Sequence, residues 1–169
     1  MINSIKLKRL TLASIFLALC VVGANIKIMG SVAFDSAPAF LGAVMLGPLY
    51  GAFLGFFGHM VSAALAGFPL TLPIHLIIGF FMGICMAVFG WIRLKFGTSR
   101  WGTVIISDIV GYAINVPLEM LFLYPLMKAA ILAFFVPLTI ATILNIIVCE
   151  GVYAFLPRAI KSESYLRGH

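Results

Sequence analysis

Between Trp101 and Leu123 the chain reads WGTVIISDIVGYAINVPLEMLFL, long and apolar enough to cross a bilayer. Inside that stretch stand Asp108, Tyr112, Asn115 and Glu119, spaced i, i+4, i+7 and i+11. At 3.6 residues per turn the four share a sector of roughly 60° on one helical face. A soluble helix would turn such a face to water. Here the opposite face and nearly every neighbouring segment are oily, so the stripe has to meet protein or a water-filled cavity inside a bundle.

Composition supports that reading. Of 169 residues, 63% are hydrophobic and 9% charged, with a mean hydropathy of +1.19. Soluble domains carry about a quarter charged residues, so the chain is expected to be an all-α integral membrane protein. Residues 1–169 have room for one transmembrane domain and no separate soluble one. The formal charge of +6 would invite a nucleic-acid reading in a soluble protein. No basic patch interleaved with aromatic residues exists, and flanking charges on membrane helices explain the excess, so nucleic acid is excluded as a partner. Cys20, Cys85 and Cys149 lie singly in apolar segments, with no CxxC pair for a metal or a disulfide framework. The basic, then apolar N-terminus lacks a cleavage site followed by a polar chain and reads as a retained first span.

Taken in order, a lead-in with Lys6, Lys8 and Arg9 precedes a first span at about Thr11–Asn25. Within it Ser14 and Ala18 form a small-xxx-small pair that allows close approach by another helix. A polar-leaning loop, Lys27–Ser36, ends in Asp35 and Ser36, which read as a cap for a helix with Pro38 in its first turn. The second span, about Ala37–Leu46, is short, about 15 Å at 1.5 Å per residue. It stops at Gly47-Pro48. A third span, about Leu49–Ala66, carries a ladder of Gly51, Gly55 and Gly58, with His59 and Ser62 beside it. The loop Gly67–Pro73 has two prolines and cannot be regular helix. The fourth span, about Ile74–Ile92, opens with His75 and carries Gly79, Gly83 and Ala87. A basic turn with Arg93, Lys95 and Arg100 leads to the fifth span. Tyr124–Pro137, with Lys128 near its tip, is expected to turn the chain around. The sixth span, about Leu138–Leu156, holds Thr142, Asn145, Cys149 and Glu150.

Six spans would put both termini on one side. Lys6, Lys8, Arg9, Arg93, Lys95, Arg100, Arg158, Lys161 and Arg167 fall on that side, and only Lys27 and Lys128 on the other. The positive-inside rule then makes both termini cytoplasmic in a multi-pass protein of the cell membrane.

An ionisable group in a span costs about 2.5–3.5 kcal/mol and marks a site or a partner contact. Asn115, Glu119 and Asn145 fall in the outer or middle parts of their spans and are expected to line a pocket open to the outside. The competing account is interhelical hydrogen bonding that only holds the bundle together. Asp108 and Glu150 lie deeper and read as structural acids, paired with an interfacial Arg or Lys or protonated. His59 reads as a packed histidine, while His75, at a helix start beside the Pro-rich loop, is a ligand candidate. Asp35 and Lys128 complete the candidate substrate-binding set. No HExxH, GxSxG or Walker A sequence is present, so the chain carries no catalytic residue, no metal ligand set and no cofactor site by motif, and an enzyme is not expected.

The stretch GSVAFDSAPAFLGAVMLGPLYGAFLGFFGH (Gly30–His59), with its continuation AGFPLTLPIH (Ala66–His75), resembles the S components of energy-coupling factor (ECF) vitamin transporters. An acidic residue, then Pro-Ala, then a GPxxG turn between the second and third helices carries the likeness, and a short second helix agrees with it. The resemblance implies a substrate-binding membrane subunit without an ATPase of its own. Its partners would be a transmembrane coupling protein, two cytosolic ATPases, the lipid bilayer, and a vitamin or vitamin precursor. It implies that the subunit topples in the membrane, and that Ser14 and Ala18 stand where the family carries an Ala-xxx-Ala contact with the coupling protein. It also implies a pocket roofed by the loops Lys27–Ser36, Gly67–Pro73 and Tyr124–Val136, with His75, Asn115, Glu119 and Asn145 at their bases. GSVAFDS and GFPLTLPIH look most like the branch for cobalamin precursors such as α-ribazole, with pantothenate and hydroxymethylpyrimidine next. Asn and carboxylate groups suit a ligand with hydroxyl or N–H donors rather than a multiply anionic one. The alternatives are a stand-alone secondary transporter coupling protons through Asp108 and Glu119, a membrane scaffold, and an intramembrane enzyme using His59 or Glu119.

Overall fold

Long apolar stretches broken by Gly-Pro and Pro-rich punctuation form a packed set of helices in the computed structural model, which describes residues 4–29, 32–33 and 35–161. Gly30, Ser31 and Phe34 of the first loop, Met1–Asn3 and the tail from 162, including Arg167, lie outside the described residues. The helices are α1 (Ser4–Gly23), α2 (Ala37–Leu46), α3 (Pro48–Leu65), α4 (Leu72–Phe96), α5 (Trp101–Ala113), α6 (Glu119–Met127), α7 (Phe135–Phe155) and the short α8 (Arg158–Lys161). A π-helical turn, Ile114–Leu118, joins α5 to α6, and a 3₁₀ segment, Lys128–Phe134, joins α6 to α7.

Several boundaries differ from expectation. The basic lead-in is already helix, since α1 starts at Ser4 rather than Thr11. The basic turn after the fourth span is partly helix too, because α4 runs through Arg93 and Lys95 to Phe96. The expected turn at Tyr124–Pro137 is mostly helical: Pro125 lies within α6, and Pro137 falls in the first turn of α7, where a missing N–H costs nothing. An antiparallel ribbon, Lys27–Met29 (β1) with Val32–Ala33 (β2), was not foreseen in an all-helical chain. By length and apolarity three segments qualify as spans: Pro48–Leu65, Leu72–Phe96 and Trp101–Phe155, the last folding back through the 3₁₀ link. Three cations near its start keep α1 off that count, and ten residues are too few in α2, so the expected six spans are not reached on these criteria.

The short α2 is the axis of the core. Nine of its ten residues are buried, because α1, α3, α4 and α7 all pack around it. Phe40 lies edge-on to Phe89 of α4 at 4.9 Å. Phe16 and Cys20 of α1, Leu54 of α3, Met82 and Met86 of α4, and Cys149 of α7 complete that cluster. Gly47 ends α2 at φ 91°, a backbone setting that disfavours a Cβ, and Pro48 then starts α3. The glycine ladder does what its spacing implied. A Cβ on Gly55 would lie 2.6 Å from the Met82 carbonyl oxygen, and one on Gly51 would lie 2.9 Å from that of Met86. Backbone therefore meets backbone between α3 and α4. The outer surface is apolar, with Leu49, Phe80, Ile109, Leu121 and Phe155 all exposed.

Candidate functional site

Pro117 shapes the wall that carries the polar stripe. It has no N–H to give, and in a regular helix its ring would strike the carbonyl four residues back. The chain widens into a π turn over Ile114–Leu118 instead, a local feature frequent at functional sites. Asn115 lies in the wide turn and Glu119 directly after it, and each retains only 3% of its surface. Asn115 Nδ2 donates to Thr142 Oγ1 of α7 at 2.8 Å, while its Oδ1 is buried without a partner among the described residues. One turn earlier, Tyr112 Oη and Thr139 Oγ1 are 3.2 Å apart.

The facing wall is built by Asn145 and the loop ahead of α2. Asn145 Oδ1 accepts the backbone N–H of Ala37 at 2.8 Å, and its Nδ2 donates to the Ala141 carbonyl at 2.8 Å. Asp35 and Ser36 were expected to cap α2. Ser36 occupies the cap position, but neither side chain caps: Ser36 Oγ donates to Asp35 Oδ1 at 2.9 Å, and α7 supplies the cap through Asn145. Tertiary contact has displaced the local cap. Burial pushes the Asp35 carboxyl above its ordinary range, with hydrogen bonds from Ser62 and Ser36 acting the other way.

These groups line a narrow cavity of about 70 Å³, space for several waters and well short of a vitamin. Asp35, Ser36, His59, Asn115, Glu119, Thr142 and Asn145 give it polar patches, and Leu70, Ile78, Met82, Leu123, Phe134 and Leu138 an apolar remainder. Four of the sequence candidates therefore converge here: Asp35, Asn115, Glu119 and Asn145. The other two do not line it. His75 is fully buried one layer back, with its Nδ1 3.2 Å from His59 Nε2 and its Nε2 accepting the Leu70 N–H at 3.4 Å. Lys128 is exposed at φ 53° where α6 gives way to the 3₁₀ segment. His59, read from sequence as a packing residue, takes the wall position instead.

At the far end of the same helices Arg93 is fully buried, although the charge pattern placed it with the cytoplasmic flanking cations. Its Nε donates to Ser107 Oγ at 2.7 Å, its Nη1 to the Thr98 carbonyl at 2.6 Å, and its Nη2 to Glu150. Asp108 lies 3.7 Å from Nη2. Asp108 and Glu150 thus have the cationic partner expected of structural acids, and it is drawn from α4.

Residues 8–157 match the family described as ECF transporter, substrate-specific component. The chain belongs to that family. No curated protein and no solved structure matches the chain. ECF substrate-specific components are the substrate-binding parts of membrane transporters and not a family of enzymes; they bind small molecules and associate with an ECF module. Family membership and the apolar helices together make this a membrane protein. The polar cavity is walled by the π turn, α3, α4, α6, α7 and the loops before α2 and α4.

Sequence reading passed over Pro117 and the coupling of His59 to His75, and read Ser36 only as a helix cap and Ser62 only as a neighbour of the glycine ladder. A proline inside an otherwise helical pattern was the available signal for the first. The histidines, 16 residues apart on two helices, offered none before α3 and α4 were placed side by side.

Proposed function

We propose that this protein is the high-affinity substrate-binding subunit of an ECF importer for a vitamin or vitamin precursor. The cavity between the π turn and α6, α7 and the loop ahead of α2 is its substrate site, and it widens from its present volume of about 70 Å³ when substrate enters. α-Ribazole or a related cobalamin precursor is the first candidate, with pantothenate and hydroxymethylpyrimidine next. In this reading six helices, α2 among them, cross or enter the bilayer with both termini cytoplasmic. Ser14 and Ala18 face a transmembrane coupling protein that works with two cytosolic ATPases, and reorientation of the subunit delivers the substrate.

The observation that carries the reading is the unspent polarity of the cavity: a buried carbonyl oxygen of Asn115 with no partner, and a buried carboxyl, Glu119, with no hydrogen bond among the described residues. Buried polar groups are ordinarily satisfied within the fold; two left open on one wall suit a ligand. Ser14 and Ala18 are exposed, and the Ser14 hydroxyl folds back onto the Leu10 carbonyl at 3.0 Å, which keeps that face small and apolar. The proton-coupled alternative needs Asp108 and Glu119 on one path, yet Asp108 is engaged with Arg93 at the other end of the helices.

The test is a panel of vitamins and precursors measured for thermal stabilisation of the detergent-purified protein. A tight binder at a hundred times its Kd adds about 2.7 kcal/mol of stability. Binding by the isolated subunit, with accumulation in vesicles only when the coupling module and ATP are present, is the expected pair of results. Proton-driven flux by the protein alone, without vitamin binding, would sink the proposal.

A further inference from the structure

His59 on α3 and His75 on α4 share their hydrogen bonds in a way that leaves one distribution of protons. A backbone N–H can only donate, so the Leu70 N–H at 3.4 Å makes His75 Nε2 an acceptor. The His75 proton therefore sits on Nδ1. That atom lies 3.2 Å from His59 Nε2, which must then accept. An imidazole whose Nε2 accepts carries its proton on Nδ1, and His59 is fixed in that form. A second proton on His59 would set two N–H groups against each other, and one on His75 would meet the Leu70 N–H, so the arrangement requires both rings neutral. His75 has no exposed surface, and Phe68, from the same loop as Leu70, lies edge-on to its ring at 5.8 Å.

Of the two rings, only His59 lines the cavity. Its Nδ1–H has no partner among the described residues. Resting on the reading of this cavity as the substrate site, we propose that His75 is a positioning residue for binding: it donates its Nδ1–H to His59 and so holds the His59 Nδ1–H ready for an acceptor atom of the substrate. Which nitrogen of a histidine carries the proton is set by the hydrogen bond that the other one makes. Without His75, His59 would offer the cavity a lone pair as readily as an N–H. The loop before α4 thus reaches the substrate through two rings, Leu70 N–H setting His75 and His75 setting His59. Asn115 Oδ1 offers an acceptor from the π turn and His59 a donor from α3, so a substrate that engages both is held in one orientation.

The experiment uses the full-length protein in detergent, with isotopically labelled histidine ring nitrogens, and α-ribazole, hydroxymethylpyrimidine and pantothenate as binding probes. In the NMR spectrum of the wild type, His59 and His75 should both show the Nδ1–H form, each assigned by the signal its own variant loses. His75→Phe and His75→Asn both take the acceptor away from Leu70, but asparagine keeps an N–H where His75 Nδ1 stood. His75→Phe should turn His59 into a mixture of tautomers and weaken the probe that binds roughly two- to tenfold, the range of one neutral hydrogen bond. His75→Asn should restore both. His59→Phe should cost as much as His75→Phe, and the two together no more than either, because a positioning residue acts only through the one it positions. Additive losses would mark His75 as a structural residue and overturn the proposal, leaving the substrate-site reading in place. Should the His75 variants fail to fold, the wild-type spectrum decides: an Nε2–H His59 overturns the proposal in the same way. If none of the three probes binds, the substrate-site reading falls and this role with it.

Discussion

Arg93 has no exposed surface and serves four partners at once: the Ser107 hydroxyl, the Thr98 carbonyl, and the acids Glu150 and Asp108. Removing one member of a fully buried charge cluster costs about 3–5 kcal/mol; Asp108 and Glu150 keep 26% and 23% of their side chains exposed, so the loss here falls below that range. Arg93→Met should therefore lower the melting temperature sharply, and Arg93→Met with Asp108→Asn and Glu150→Gln should recover most of the loss. A triple variant as unstable as the single one would mean that packing, rather than charge, sets the value of Arg93. Asn145 makes a different kind of contribution. Its Oδ1 caps the Ala37 N–H from 108 residues away, so Asn145→Ala should cost about 1–3 kcal/mol, the penalty for a buried donor left unpaired. Asn145→Asp keeps the acceptor and should cost less than Asn145→Ala; the two melting temperatures, compared side by side, decide it.

At the scale of elements, the wide turn at Pro117 and the close approach of α3 and α4 hold opposite lessons. Pro117→Ala restores an N–H that a regular helix could use and removes the reason for the π turn. The expected outcome is unchanged or raised thermal stability with weakened substrate binding, because Asn115 and Glu119 leave their places on the cavity wall. Binding that survives intact would show that the turn does not position them. Gly55→Val tests the other feature. A side chain there meets the Met82 backbone, which cannot move aside as a flexible side chain would. Overpacking of this kind costs about 1–3 kcal/mol or more, and the loss should appear in thermal unfolding of the unliganded protein. The glycine ladder was legible from its spacing. The π turn was not, because a proline inside a helical pattern marks an end or a kink without saying that the helix widens there.

At the scale of the molecule, the exposed small face of α1 gives the prediction that needs partners. Ser14→Trp or Ala18→Trp should leave substrate binding by the isolated protein unchanged and abolish ATP-dependent uptake with the coupling module, both read in the same vesicle preparation. Lost binding would place the damage in the fold instead. The sequence by itself determined the membrane class, the helical architecture, the short α2 bounded by Ser36 and Gly47, and four cavity residues, Asp35, Asn115, Glu119 and Asn145. Those properties follow from composition and from spacing along one chain, where a helix's geometry is fixed in advance. Only the tertiary structure decided what depends on which helices are neighbours. It put His59 rather than His75 on the wall, left Lys128 outside, gave the cap of α2 to Asn145, and buried Arg93 between two acids from α5 and α7. The physical reason is common to all four. A polar side chain in an apolar bundle takes whatever partner packing brings within about 3 Å, and the identity of that partner is written in the contacts between helices.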